Sequence, residues 1–207
     1  MTKSLDLDVY NALKARRLVP RDLVWFVVRD RETGAPVTDG YWSDVGTRVL
    51  SVIDPETGGA QDREFFGGAG LIEIADVPYV STLTVQQVEI KLSQVSGRVN
   101  DLTRTYDIKQ GRVEIFRGLF DPVSRNLVGS AFPRFVGFID EAPITTPAAG
   151  GEGDVTLTCT SHTQELNRSN PDTRSDASQR LRNPTDNCFA DVATVKDWRI
   201  SWGQASS

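Results

Sequence analysis

A single histidine, His162, stands in this chain of 207 residues. That scarcity excludes an HExxH zinc site and every multi-histidine metal centre. No G-x-S-x-G elbow accompanies it, so a Ser-His-Asp hydrolase has no signature here, and His162 reads as a turn residue at the end of a strand. The adjacent acids Asp140 and Glu141 would point to opposite faces of a strand and would not converge on one glycosidic bond. The chain is therefore read as a non-enzyme without cofactor or metal. Cysteine is also rare: Cys159 falls on the apolar side of its strand and reads as a small buried hydrophobe, and Cys188, beside Phe189, could be buried too. Two free thiols are expected rather than a disulfide.

Positive charge is in deficit as well. The formal net charge is -5 and the sequence pI is near 5.0, which argues against a general nucleic-acid binder, because neutralising phosphates requires a surplus of Lys and Arg. Long apolar runs are missing: no window approaches the about 20 apolar residues of a membrane span. The N-terminal MTKSLDLDVYNALKARRL carries acids and lacks the apolar core of a signal peptide. The expectation is a soluble protein made in the cytoplasm, exported only as part of something larger, such as a virus particle. Two tempting loops lack their ligands. Phe65-Phe66-Gly67-Gly68-Ala69-Gly70 has neither the Lys-Ser/Thr of a P-loop nor a following helix, and Asp54-Pro55-Glu56-Thr57-Gly58-Gly59 lacks the series of oxygens that calcium needs.

What the chain has is strands. Val155, Leu157 and Cys159 alternate with Thr156, Thr158 and Thr160, the period of a strand with one dry face. Val88, Ile90 and Leu92 alternate in the same way with Glu89, Lys91 and Ser93. Leu23 to Arg29 (LVWFVVR) reads as a central strand. Val49 to Ile53, Leu71 to Ile74, Arg112 to Phe120 and Phe135 to Ile139 are further strands, and Tyr41 and Trp42 are expected to begin one after Asp39-Gly40. Gly118 and Gly137 leave room for a bulge or a neighbouring backbone. The stretch from Arg112 to Thr163 reads as three strands in an antiparallel sheet. Arg98 to Ile108 is ambiguous, with Val99, Leu102 and Tyr106 at helical spacing.

The flanks differ in character. Ser4 to Arg17 is an amphipathic helix by its acids in the first turn and bases in the last, with Leu5, Val9, Ala12 and Leu13 along one side; it would either cover an end of its own domain or dock on a neighbour. After Thr163 aliphatic residues thin out and Arg, Asn, Asp and Ser dominate. A short helix is predicted there, capped by Ser175 or Asp176 and ending before Asn183-Pro184, and Trp198, Ile200 and Trp202 would share one face of a last strand. Arg168, Arg174, Arg180 and Arg182 form the candidate subunit-contact surface; Asp172, Asp176 and Asp186 offset all but about one of their charges, as in a protein interface or a network that orders a loop. The organisation read from this is a helical arm over 1–20, a β-sandwich or β-barrel core over 21–163 and an interaction segment over 164–207, in a single domain.

Segments in this order resemble a known group. GYWSDVG, then FFGGAGLIEIADVPYVSTLTVQQVEIKLSQV, then VEIFRGLFDP with RFVGFIDEAPI, then SHTQELNRSNPDTRSDASQRLRNPTDNCF and WRISWG are similar to tail-tip proteins of siphophages, prophages and gene transfer agents, the distal-tail and hub group. The resemblance implies a mainly β fold, an antiparallel β-sandwich or β-barrel related to the phage tail-tube fold. It implies a virion protein of the tail tip: a homo-oligomeric ring, a hexamer favoured over a trimer, that joins the tail tube to the hub, to other tail-tip proteins and to the receptor-binding apparatus, with the tape measure protein as a further partner. It brings no catalytic residues, no membrane span and no specific nucleic-acid binding; an acidic surface would suit a channel that passes DNA. The alternative reading is a carbohydrate-binding β-sandwich that uses Tyr41, Trp42, Trp198 and Trp202.

Overall fold

A computed structural model describes residues 7–68, 70–78, 80, 84–145, 153–167 and 173–195. Two compact units are present, Met1–Leu166 and Asn167–Ser207. The first is mainly β. Helix α1 (Leu7–Ala15) leads into β1 (Val19–Asp30), β2 (Pro36–Trp42), β3 (Thr47–Ile53), β4 (Ala60–Phe66), β5 (Leu71–Ile74) and β6 (Gln87–Ser93). Helix α2 (Gly97–Arg104), β7 (Tyr106–Phe120), β8 (Phe132–Glu141) and β9 (Asp154–Ser161) follow, closed by a 3-10 helix, His162–Asn167. The nine strands form one sheet in the order β3-β4-β2-β1-β7-β8-β9-β6-β5. The pairings between these strands are antiparallel except the parallel bridge Tyr41 to Phe66 that joins β2 to β4, and an isolated parallel bridge, Val52 to Ala131, ties β3 to the residue before β8. The mainly β, sandwich-like sheet expected from the sequence is present, and it is mixed at these two bridges.

The centre of the sheet is dry on both faces. From β1, Val24, Phe26 and Val28 enter one core and Leu23 and Trp25 the other. From β7, Ile108, Val113 and Ile115 join the first core and Phe116 and Phe120 the second. The first core is covered by β6, β8 and β9 with Val99 and Leu102 of α2; the second by Leu50, Val52 and Phe65 of the β3–β4 hairpin. This two-sided burial is why LVWFVVR is apolar throughout rather than alternating. In β6 and β9 only one face is buried, and the expected alternation holds, apart from Thr160, which is buried as well.

Several boundaries differ from the sequence reading. Strand β2 begins at Pro36, so Tyr41 and Trp42 end it rather than start it. Its polar half escapes detection because Asp39 is buried, satisfied by Arg98 Nε at 2.7 Å and by the Tyr41 hydroxyl, which donates at 2.6 Å. Strand β4, AQDREFF, has no apolar alternation to announce it. Arg98 to Ile108 divides into α2 and the start of β7, with Tyr106 on the strand. In α1 only Val9 is buried, while Leu13 is exposed; Ser4 and Leu5 lie outside the described residues. Gly137 is required by close approach, since a Cβ there would run into the Thr160 carbonyl of β9. At Gly118 the neighbours are the Phe120 and Leu127 side chains.

Three connections share one construction, written DRETGA, DPETGG and DPVSRN. In each the aspartate Oδ1 accepts from the backbone N–H groups two and three residues on: Glu32 and Thr33 for Asp30, Glu56 and Thr57 for Asp54, Val123 and Ser124 for Asp121. The fifth residue of each is left-handed, with φ of 70° at Gly34, 71° at Gly58 and 55° at Arg125. The calcium-like Asp54 loop is thus an Asx turn whose carboxylate takes backbone donors.

The hairpin β3–β4 is tied down by charge as well as by apolar contact. Glu114 of β7, only 3% exposed, accepts from Arg63 Nη1 at 2.6 Å and forms an ion pair with Arg112, whose Nε lies 2.7 Å away. Arg63 also reaches Asp54 at 3.3 Å, its guanidinium lies over the rings of Trp25 and Phe116 at 5.1 and 5.7 Å, and Arg112 pairs with Glu56.

Three outcomes follow from these features. Glu114→Gln leaves two guanidiniums short of their carboxylate and costs about 3 kcal/mol, read from urea unfolding at neutral pH. Gly58→Ala costs about 1 kcal/mol, because nothing crowds that site and only the backbone is strained, whereas Gly97→Ala, also unobstructed but without a positive φ, is neutral or stabilising. The N–H groups of Thr33, Thr57 and Ser124 are the largest influences that hold the Asp30, Asp54 and Asp121 carboxyls below their ordinary range. Their stabilisation is complete above the unfolded value of about 3.9 and is lost as pH falls through the lower folded values. Asp54→Asn therefore flattens the fall of melting temperature with acidification below about pH 4.

Candidate functional surface

Cys159 is buried in the first core, and burial pushes its thiol up to about 12, so it stays protonated. Cys188 is exposed, not buried as its place beside Phe189 suggested, because its N–H is held by Asp186 on a surface turn. Both cysteines are free. His162 is exposed at the start of the 3-10 helix, with its ring 4.5 Å from that of Phe138. Ile139 and Glu141 flank a slip in the β8–β9 register. Among the described residues no cluster of His, Cys, Asp and Glu could hold a metal ion, and no helix is long and apolar enough to cross a membrane.

Of the aromatic residues offered for sugar stacking, Tyr41 and Trp42 are interior, 1% and 3% exposed. Trp42 stacks at a tilt on Phe120 at 5.8 Å and donates its Nε1 to the Gly46 carbonyl at 2.8 Å. Tyr41 meets Phe26 edge-on, and burial raises its phenol pKa above the ordinary value. Neither can form an exposed platform; Trp198 and Trp202, with the last strand read there, lie outside the described residues.

In the second unit the predicted short helix is α3, Asp176–Arg182, with Ser175 as its N-cap accepting from the Ser178 N–H. A second short helix, α4, spans Val192–Val195. Arg168 lies outside the described residues, and Arg174, Arg180 and Arg182 are exposed. Arg180 is engaged locally, with Nε 2.8 Å from Asp176 and Nη2 donating to Asn187 at 2.9 Å. Gln179 donates to Asp186 at 2.6 Å. The Arg, Asn and Asp of this segment therefore order a loop around α3. Leu181 is left 88% exposed beside them.

The first unit carries a basic cleft that contiguous sequence does not reveal. It encloses about 340 Å³ where β1 and β3 begin and β7 ends. Trp42 and Phe120 line it, together with Arg21, Arg48 and Arg125. Arg21 Nε pairs with Asp44 at 2.9 Å, and Arg48 Nη1 donates to the Arg125 carbonyl at 2.9 Å across the cleft. The two carboxylates here are already occupied. Arg21 first, then the Val45 N–H, lowers the pKa of Asp44, with Arg125 adding its field; Asp121 holds its own turn and feels Arg17. Val45 and Val123 stand beside it, 72% and 90% exposed.

A second surface has the opposite sign. On the outward side of β5, β6 and β9, Lys91 pairs with Glu73 at 3.1 Å. Glu73 foremost, with the fields of Asp154 and Glu89 added, raises the pKa of Lys91. Ile72 projects beside them, 56% exposed.

No family model and no curated protein matches the chain. Among solved structures, a chain from the virion of a native gene transfer agent (GTA) particle matches with a TM-score of 0.50 and 14% sequence identity. The match covers 82% of this chain and 49% of that one, so this chain spans about half the length of its structural neighbour. At that identity what is shared is the fold.

Proposed function

We propose that this chain is a structural, non-catalytic subunit of a phage-type or gene-transfer-agent virion, placed at the tail tip. There it forms a homo-oligomeric ring that joins the tail tube to the hub and the receptor-binding apparatus and lets DNA pass. The observation that carries the reading is the fold match over 82% of the chain to a protein of a GTA virion. The surfaces support it. Arginine beside exposed valines, as at the basic cleft, is a composition typical of protein interfaces, and a ring of identical subunits needs such surfaces on every copy. A hexamer, as in a distal-tail protein, is favoured over the trimer of a hub, and tape measure protein and other tip proteins are the neighbours such a ring would have. The net charge of -5 suits a ring around DNA, since an acidic lumen repels phosphates.

The test is placement. Immunogold labelling of particles from a strain carrying this gene is expected to mark one tail end, and light scattering of the purified chain to give a multiple of 22.8 kDa. A strict monomer missing from particles overturns the reading.

A further inference from the structure

The two charged surfaces of the first unit are complementary to each other and lie on different halves of its sheet. The cleft is built on β1, β2, β3 and the end of β7; the acidic face lies on β5, β6 and β9, at the far end of the strand order. Around the cleft three guanidiniums, Arg21, Arg48 and Arg125, face two carboxylates that are already bound, Asp44 to Arg21 and Asp121 to the N–H groups of its own turn. That excess of cations occurs in a chain whose total is -5, so the rest of the surface is more acidic than the total suggests. On the other face the sign is reversed, and Lys91 cannot neutralise Glu73, Glu89 and Asp154. Each surface also presents apolar side chains, Val45 and Val123 on one and Ile72 on the other.

We infer that the cleft of one copy receives the β5–β6–β9 face of the next copy, head to tail. The occupant is a second copy of this chain because the complementary surface is on the chain itself. The guanidiniums of Arg48 and Arg125 take the Glu73 and Glu89 carboxylates, a pairing that the planar fork of arginine favours. Ile72 packs against Val45 and Val123, which keeps water from the centre of the contact. Because the two surfaces differ, the contact is heterologous, and repeated rotation carries it round a ring. This deepens the assembly-subunit reading and rests on it.

Reciprocal charge reversal tests the contact. Arg48→Glu/Arg125→Glu and Glu73→Lys/Glu89→Lys are each made in the full chain, at exposed positions, and melting temperature is followed for each, a small drop being expected where Arg48 gives up the Arg125 carbonyl and Glu73 gives up Lys91. Sedimentation at low ionic strength is expected to show at least about tenfold weaker self-association for either variant alone. Mixing the two should restore association, because each reversed surface then finds its reversed partner; loss of fold cannot produce that recovery. Raising salt should weaken the wild-type contact. Wild-type association by both variants, or no recovery on mixing, overturns the inference. A wild-type chain that stays monomeric yet labels the tail tip also overturns it, while leaving the virion reading intact.

Discussion

The pair β1–β7 must be dry on both faces, and the rest of the first unit is arranged to meet that demand. Leu23, Trp25, Phe116 and Phe120 face one way and Val24, Phe26, Val113 and Ile115 the other, so a single covering layer would leave half of them in water. Each such side chain contributes roughly 1.5–3 kcal/mol when fully buried. One layer comes from β6, β8, β9 and α2. The other comes from β3 and β4, which hold to the rest of the sheet through two isolated backbone bridges, Tyr41 to Phe66 and Val52 to Ala131, rather than through a continuous ladder. Side chains must therefore do what the ladder does not. Trp25 meets Phe65 edge-on at 5.6 Å, and Arg63 of β4 reaches under the hairpin to Glu114. A buried ion pair gains little over an apolar pair of the same shape. Its specificity lies in position, since Arg63 can satisfy Glu114 and Asp54 together only when the hairpin sits in this register.

That division explains what could be read in advance. Strands whose burial is regular announced themselves: the continuous apolar run of β1, and the alternations of β6 and β9. The helix α3 was legible from Ser175 and Asn183-Pro184 because capping is a local affair. Strands that face the solvent or carry a buried charge were not. In β4 the inward positions hold Arg63 beside Phe65, and in the first half of β2 the buried residue is Asp39, whose partners Arg98 and Tyr41 only the folded chain brings together. A pattern search for apolar periods misses a buried charge by construction, because the partner that makes burial tolerable lies elsewhere in the sequence.

The same physics governed the candidate surfaces. Arg174, Arg180 and Arg182 drew attention because they are close in sequence, and Arg180 spends its donors on Asp176 and Asn187 a few residues away. The basic cleft draws its arginines from positions 21, 48 and 125. Their separation in sequence is bridged only by the pairing of β1 with β7 and by the Asx turn that starts at Asp121. The recurrence of DxxT or DxxS at all three turns was open to inspection, and the hydrogen bonds show why it recurs: one carboxylate satisfies two backbone donors that a tight connection would otherwise leave bare.

Charge also limits how copies of this unit can meet. A two-fold contact places the same patch on both sides; set cleft to cleft, it would bring six guanidiniums together around Asp44 and Asp121 carboxylates that are already bound. The acidic faces set against each other would be no better, with Lys91 the only relief on each side. Like charges across an interface cost several kcal/mol, so the isologous arrangements of these patches are disfavoured, and contact between unlike patches is what remains. Such a contact closes only if its rotation divides a full turn; otherwise it grows into a filament. The geometry that fixes that rotation is the angle between the cleft end of β1–β7 and the β5–β6–β9 face, which the double-sided core holds rigid.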